Sequence, residues 1–194
     1  MVMVSVEQYL WKCVPKPLAF GANVIACVDV SYREQQAQAA CVVLTRWTDA
    51  VPLQTHVACV EYIHPYESGN FDRRELPCLL AVLQLLAAKP DVIVIDGYVW
   101  LSALRAPGLG AHLYYALGRA CAVVGVAKTA FAGVCGSPLV AQVMRGTSAK
   151  PLYVTSAGIE LERAAQAVQA MHGAHRIPTA LRLADRLARG YCDR

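Results

Sequence analysis

The stretch VIACVDVSY, residues 24–32, is an apolar run that carries one acidic residue, Asp29. A second run of the same kind, DVIVIDG at residues 91–97, ends in Asp96. Short runs rich in Val, Ile and Cys predict buried strands. A carboxylate at the end of a buried strand is costly to desolvate unless a cation or hydrogen bonds receive it. The two runs therefore predict a sheet with an acidic side chain at the end of each of two strands.

A third acidic residue, Glu75, opens the helix that is predicted between these strands. Two strand-end aspartates and a nearby glutamate supply the hard oxygen ligands that Mg²⁺ requires, with positions left open for water and phosphate. The alternative is that each aspartate begins a turn or caps the next segment, as is common at strand ends. The residues by themselves leave both interpretations open.

The composition favours a central sheet covered by helices on both faces. Of the 194 residues, 56% are hydrophobic and only 16% are charged, so most elements should be buried on both sides. The length predicts one domain over residues 1–194. No apolar run has the length of a membrane span, and no secretory signal is expected in residues 1–13. The net charge of +4 permits a nucleic-acid partner without requiring one.

The eight cysteines do not predict a metal site or a disulfide framework. No CxxC pair occurs, and the spacing fits neither a zinc ribbon nor a disulfide scaffold. Several cysteines lie in apolar runs, where a free thiol behaves as a small hydrophobic side chain. The sequence therefore predicts buried, reduced thiols and a cytoplasmic protein.

The order of elements predicts an α/β fold. Strands at 24–31, 39–45 and 51–61 with short polar turns predict an antiparallel meander. The elements after the meander are a helix at 71–88, a strand at 91–95, a helix at 109–119, strands at 121–126, 139–145 and 152–155, and helices at 157–171 and 179–188. A meander followed by βαβ units is similar to the ribonuclease-H-like mixed sheet flanked by helices. There the first and fourth strands lie side by side, which would bring Asp29 and Asp96 together.

Short motifs along most of the chain share one resemblance. They are VDVSY at 28–32, PY at 65–66, RRELP at 73–77, PDVIVIDG at 90–97, GLGAHL at 108–113, VGVAKT at 124–129, YVTSAG at 153–158 and RIPTALRLADR at 176–186. In this order and spacing they resemble the endonuclease V family, nucleases that cut near deoxyinosine in DNA or inosine in RNA.

The resemblance implies a metal-dependent site. Asp29, Glu75 and Asp96 would bind Mg²⁺ or, in its place, Mn²⁺, and the metal would polarise the scissile phosphate and activate the attacking water. Lys128 would place its ammonium group on a phosphate near the cut.

The resemblance also implies how the substrate is held. Tyr66 would fill the gap that a target base leaves when it swings out of the stack. Gly97, Gly108 and the backbone around Ala127 would line a tight pocket for that flipped base, because glycine allows close backbone approach. The expected partner is DNA or RNA, single-stranded or with a flipped base, and not a membrane.

Some residues depart from the family pattern. Ile159 stands where the family has a histidine near the metal, and Val99 stands where it has a glycine. One alternative is therefore a weakened or inactive endonuclease V-like protein that binds nucleic acid or another partner. Another alternative keeps the chemistry and changes the substrate, because Tyr98 and Trp100 would reshape the pocket.

Overall fold

A computed structural model of the protein describes residues 24–33, 36–60 and 71–190. This part of the chain folds into a seven-stranded mixed sheet with four helices. The elements are β1 (Ile25–Arg33), β2 (Gln36–Leu44), β3 (Gln54–Val60), α1 (Phe71–Leu83), β4 (Val92–Asp96), α2 (Leu109–Ala116), β5 (Ala122–Ala127), β6 (Ala141–Val143), β7 (Leu152–Ala157), α3 (Leu161–Ala170) and α4 (Thr179–Ala188).

The strand order is β3-β2-β1-β4-β5-β7-β6. The first three strands form an antiparallel meander, and β4 and β5 then add in parallel to β1. Helices α1 and α2 make the crossovers that parallel neighbours require. The predicted α/β, ribonuclease-H-like arrangement is confirmed, including the placement of the first and fourth strands side by side.

Both faces of the sheet are buried, as the low charge content predicts. On β1 the side chains of Ala26 and Val28 belong to the core beneath α1 and α2, whereas Ile25 and Cys27 belong to the core beneath α3 and α4. This alternation is the two-residue period of a strand with an apolar layer on each side.

Three predicted boundaries are wrong because strand pairing continues further than the residue types suggest. The predicted turn at residues 32–36 is largely strand, since Tyr32 pairs with Ala37 and Arg33 with Gln36. Strand β7 runs on to Ala157, and Gly158, with a φ of 77°, then separates it from α3. Helix α3 therefore begins at Leu161 and not at 157.

Other predicted elements are shorter in the structure. Helix α1 ends at Leu83 and not at 88, because the chain tightens there into turns with Leu85 N–H donating to the Val82 carbonyl. Helix α2 ends at Ala116, β3 begins at Gln54 and β6 covers only Ala141–Val143.

The cysteines of the described ranges are free thiols. Cys27, Cys41, Cys78 and Cys121 are buried as predicted, but Cys59 and Cys135 are exposed. Cys59 lies on β3, an edge strand of the described sheet, and Val57 on the same face of β3 is exposed as well. Within the described ranges, no helix combines the length and the apolar character that crossing a bilayer would need.

Candidate active site

Asp29 and Asp96 lie beside each other on the neighbouring parallel strands β1 and β4. Val28 pairs with Ile95, and the two aspartates are the next residues along their strands. Asp96 is the last residue of β4, as predicted. The prediction that Asp29 ends its strand is wrong, because β1 continues to Arg33 against β2 alone. Asp29 thus lies where the parallel pairing stops and the sheet opens, which is the usual place for a site in such sheets.

Glu75 reaches the same opening from α1. It is the fifth residue of that helix and does not open it as predicted, because α1 begins at Phe71. Its side chain is 8% exposed. Asp29, Glu75 and Asp96 line one cavity of about 380 Å³ together with Lys128 and Asp185, and we call it the carboxylate cavity.

The pKa values of two carboxylates in this cavity are raised, chiefly by burial and secondly by repulsion between the carboxylates. Burial raises the pKa of Asp29 to about 7, and repulsion from Asp96 adds to the effect, while a hydrogen bond of 2.9 Å from the Val30 N–H opposes it. Burial likewise raises the pKa of Glu75 to about 8, with Asp29 and Asp96 adding to it and Arg74 opposing it. Both carboxylates are therefore protonated more readily than an ordinary carboxyl group, and a bound cation would oppose this shift.

Lys128 supplies one cation at the rim of the cavity. It follows directly on the last residue of β5, and its Nζ donates to Asp96 Oδ2 at 2.5 Å. Burial acts to lower the pKa of Lys128, but the hydrogen bond and charge of Asp96 outweigh burial and raise the pKa above its ordinary value. The ammonium group is therefore charged and lies beside the carboxylates.

The donor set fits a hard divalent cation in chemistry and charge. Three carboxylates face one cavity, and their mutual repulsion is the interaction that a bound cation relieves. Within the described ranges, however, no group of three or more His, Cys, Asp or Glu side chains is arranged to hold a metal ion. The three carboxylates thus line one cavity without already converging on one point. Asp96 is engaged by Lys128, so metal binding would require the side chains to reorient.

Asp185 is a member of the site that the sequence reasoning missed. It lies on α4, lines the carboxylate cavity, and its charge contributes to the raised pKa of Asp29. Arg189 Nε donates to Asp185 Oδ1 at 2.9 Å. A signal was available, because Ala180, Ala184 and Ala188 form the buried stripe of α4 and Asp185 directly follows one of them.

A second, smaller cavity of about 110 Å³ lies between α4 and the strand ends. Val126, Ile177 and Leu181 give it apolar walls, and Lys128 and the exposed Arg182 lie at it. This smaller cavity is also lined by Asp29, Asp96 and Asp185, so Arg182 lies close to the carboxylates.

The residues predicted to line a base pocket lie in different surroundings. Gly97, with a φ of 124°, borders the carboxylate cavity, and a Cβ there would meet nothing within 4 Å. Gly108 is buried, and a Cβ there would lie 2.7 Å from the Tyr98 carbonyl oxygen. Ala127 is 5% exposed and directly precedes Lys128. Tyr66 lies outside the described residues.

The structure shows the positions of Trp100 and Ile159, which belong to the segments that differ from the family pattern. Trp100 is buried and its Nε1 donates to the Ser156 carbonyl at 2.9 Å, so it packs within the core. Ile159 packs against the core beneath α3 and α4. It lies just beyond β7, whose last residue Ala157 pairs with Val123, whereas Asp96 pairs with Val126. The expectation that Ile159 lies near the metal is wrong, because Ile159 lies beyond the strand ends that are opposite to Asp96.

The strand order and the flanking helices are those of a ribonuclease-H-like α/β protein, with an acidic cavity at the end of β4. The sequence profile of the family described as Endonuclease V matches residues 11–186. Endonuclease V of Xanthomonas axonopodis pv. citri is 32% identical over 185 residues, which cover 86% of this chain and 76% of that protein. The chain therefore belongs to the endonuclease V family, a family of nucleases.

Two further comparisons set the extent of the likeness. Endonuclease V of Xanthomonas oryzae pv. oryzae is 38% identical over 118 residues, which cover 60% of this chain but only 48% of that protein. The match thus spans about half the length of that relative. The crystal structure of Ciona intestinalis Endonuclease V, in complex with a 24mer DNA containing an inosine followed by a ribo-adenosine, superposes with a TM-score of 0.75 at 22% identity, covering 88% of this chain and 85% of that one. This likeness shows the fold.

Proposed function

We propose that this protein is a Mg²⁺-dependent endonuclease that cleaves a phosphodiester bond near a deaminated, inosine-type base in DNA or RNA, as in nucleic-acid repair. The observation that supports this most strongly is the carboxylate cavity, where Asp29, Glu75 and Asp96 surround one space beside Lys128. Mn²⁺ is expected to substitute for Mg²⁺, since both accept carboxylate oxygens.

The roles follow from charge and position. Asp29, Glu75 and Asp96 would hold the metal, which when bound supplies charge that polarises the scissile phosphate and makes a water more acidic. Lys128 would move its ammonium toward a non-bridging phosphate oxygen, where a compact positive charge stabilises the charge that develops during cleavage. Asp185 would keep the local potential negative and so favour cation binding over an empty, protonated site.

The substrate-binding roles are carried over from the family resemblance. Tyr66 would fill the space of a flipped base, and Gly97, Gly108 and Ala127 would border its pocket. Gly97 has the open surroundings that such a role needs, because a Cβ there meets no atom within 4 Å. The nucleic acid would be single-stranded or carry the target base outside the stack.

The weakened or inactive alternative rested on two departures, Ile159 in place of a histidine near the metal and the altered pocket segment at Val99. The first does not support it, because Ile159 lies beyond the end of β7 that is opposite to Asp96. All four groups that the chemistry requires are present around one cavity. One domain over residues 1–194 and a cytoplasmic location stay predictions.

The test is cleavage of matched oligonucleotides. Single-stranded DNA and RNA with one inosine, and the same strands with adenosine or guanosine instead, are incubated with Mg²⁺, with Mn²⁺ or with EDTA. We expect cleavage near inosine in either metal and none in EDTA or with Asp29→Asn. The matched control is Glu162→Gln, because Glu162 is an exposed carboxylate on α3. Absence of cleavage on every strand in both metals would reject the proposal.

A further inference from the structure

The backbone at Lys128 and Thr129 is held by two side chains to which the proposed function assigns no role. The Arg176 guanidinium donates to the carbonyl oxygen of Lys128 itself and, at 2.6 Å, to that of Pro151. The Tyr98 hydroxyl donates to the Thr129 carbonyl at 2.7 Å and accepts the Phe131 N–H at 3.1 Å. Two successive carbonyls, those of Lys128 and Thr129, are thus fixed from different parts of the fold.

Arg176 reaches Lys128 from a loop that is itself held firmly. Arg145 is 6% exposed. Its guanidinium donates to the carbonyl of Gln169 in the last turn of α3. It also donates to four carbonyls of the segment between α3 and α4, those of Met171, Gly173, His175 and Arg176. A buried guanidinium with these partners is satisfied only in one shape of the loop. These hydrogen bonds fix the backbone of Arg176, from which its side chain extends to the Lys128 carbonyl.

Tyr98 approaches from the β4 side and is equally constrained. It lies two residues beyond Asp96, and its carbonyl accepts the Gly110 N–H at 3.1 Å. The next residue, Val99, donates its N–H to Thr155 Oγ1 at 2.8 Å in the interior. The Tyr98 ring also contacts the Phe131 ring, with centroids 5.9 Å apart. Its hydroxyl is thus presented to Thr129 from a fixed position.

Such support matters because a lysine is hard to place precisely. Its ammonium lies on a flexible four-carbon stem, and a half-exposed ion pair constrains it weakly. The Lys128 side chain is 47% exposed in its pair with Asp96. Fixing the backbone at the root of the stem restricts the region that Nζ can reach, and small displacements of a catalytic charge are costly.

We propose that Tyr98 and Arg176 are positioning residues for Lys128: together they fix its backbone so that the ammonium lies between Asp96 and the scissile phosphate. The inference rests on the proposed nuclease function for the phosphate. Neither residue touches the reacting atoms, and both act through Lys128.

The first test is a double-mutant cycle on the full chain with the inosine-containing strand and Mg²⁺. Tyr98→Phe removes only the hydroxyl, and Arg176→Gln removes the guanidinium. We expect each substitution to slow single-turnover cleavage by roughly 10-fold in the otherwise unaltered protein. In the Lys128→Met background, the same substitution should cause no further loss of rate. Arg176→Lys, which keeps a donor, should recover part of the rate. Equal losses with and without Lys128 would overturn the inference.

The second test does not depend on cleavage. Crystal structures of Tyr98→Phe and Arg176→Gln should show Lys128 displaced and its contact with Asp96 lost, whereas Tyr115→Phe, on α2, should leave both unchanged. An unmoved Lys128 in both variants would overturn the inference. An unaltered protein that cleaves nothing would reject the nuclease proposal instead, and the crystal structures would still decide the positioning role.

Discussion

Gly125 on β5 lies directly against the backbone of Gly97, with no room for a side chain between them. A Cβ at Gly125 would lie 2.6 Å from the Gly97 carbonyl oxygen, 2.8 Å from Thr155 Oγ1 and 3.0 Å from the Val99 nitrogen. Any side chain at Gly125 must therefore push away the segment that follows Asp96.

Gly125→Ala should consequently damage both stability and activity. We expect a loss of about 1–3 kcal/mol in the free energy of unfolding from overpacking, together with a large loss of cleavage because Asp96 is displaced. Urea unfolding and single-turnover cleavage measure the two effects. Gly136→Ala is the matched control: its φ is 79° and its surroundings are open, so it should cost about 1–2 kcal/mol of strain and leave cleavage intact.

The stability of the metal-free protein should fall as the pH rises. Burial and repulsion raise the pKa of Asp29 to about 7 and that of Glu75 to about 8, while unfolded carboxylates titrate near about 4. The folded state therefore binds more protons than the unfolded state between these values, so stability present at low pH is lost up to about pH 8.

Thermal unfolding in EDTA between pH 5 and pH 8.5 checks this dependence. The Tm should decrease across the range, Glu75→Gln should flatten the upper part, and Mg²⁺ should raise the Tm most at the alkaline end. A Tm that is constant with pH in EDTA, or that rises with it, would contradict the charge distribution described for the cavity.

Lys128→Met should separate metal binding from cleavage. Removing the ammonium takes a competing cation away from Asp96, so Mn²⁺ should bind more tightly when measured by calorimetry. Cleavage should nevertheless slow by roughly 10²-fold or more, the usual effect of losing one electrostatic contact to a transition state. Weaker Mn²⁺ binding would show that Lys128 supports the metal site instead of competing with it.

Asp185→Asn should slow cleavage by about 10–100-fold, the range seen when a partner of metal ligands is removed. The change removes a negative charge from the cavity. The attraction by which that charge favours a proton on Asp29 also favours a bound cation, so Mn²⁺ affinity should decrease as well. Glu162→Gln, which removes a carboxylate from the first turn of α3, serves as the control and should leave both quantities unchanged. Full activity of Asp185→Asn would remove that residue from the site.

Ile159→His should not raise the cleavage rate. The side chain at this position packs against the core beneath α3 and α4, beyond the end of β7. A histidine there is remote from Asp96, and it would introduce a polar ring into an apolar layer, so a lower Tm is the expected result. A clear rate gain in a folded variant would mean that the register of β7 is different.

The sequence predicts the order of elements and the antiparallel meander, and its likeness to the ribonuclease-H-like arrangement predicts that Asp29 and Asp96 are neighbours. Apolar runs identify strands wherever both faces of the sheet are buried, as for β4 and β5. Sequence-based assignment fails where strand pairing overrides residue type. The stretch at 32–36 was predicted as a polar turn, but Tyr32 and Arg33 of β1 pair with Ala37 and Gln36 of β2. Strand ends are set by the partner strand, and a single strand's composition does not contain that information.

The site was predicted in part for a similar physical reason. Asp29 and Asp96 each stand in or at the end of a short apolar run, a pattern that the sequence alone shows, whereas Lys128 was indicated only by the family resemblance. Asp185 belongs to a helix that reaches the cavity only through tertiary packing of α4 on β1 and β2. The position of Ile159 was predicted wrongly because similarity of a short motif does not reveal at which end of the strands the residue lies.

Arg145 has a consequence for how genetic variants of this protein are interpreted. Its hydrogen bonds to five carbonyls connect the chain just after β6 to the last turn of α3 and to the segment before α4. A screen that scores only lost function would record a substitution there alongside changes at Asp29 or Lys128. The two groups differ in cellular abundance: an Arg145 variant should be depleted by quality control, whereas a Lys128 variant should accumulate to normal levels.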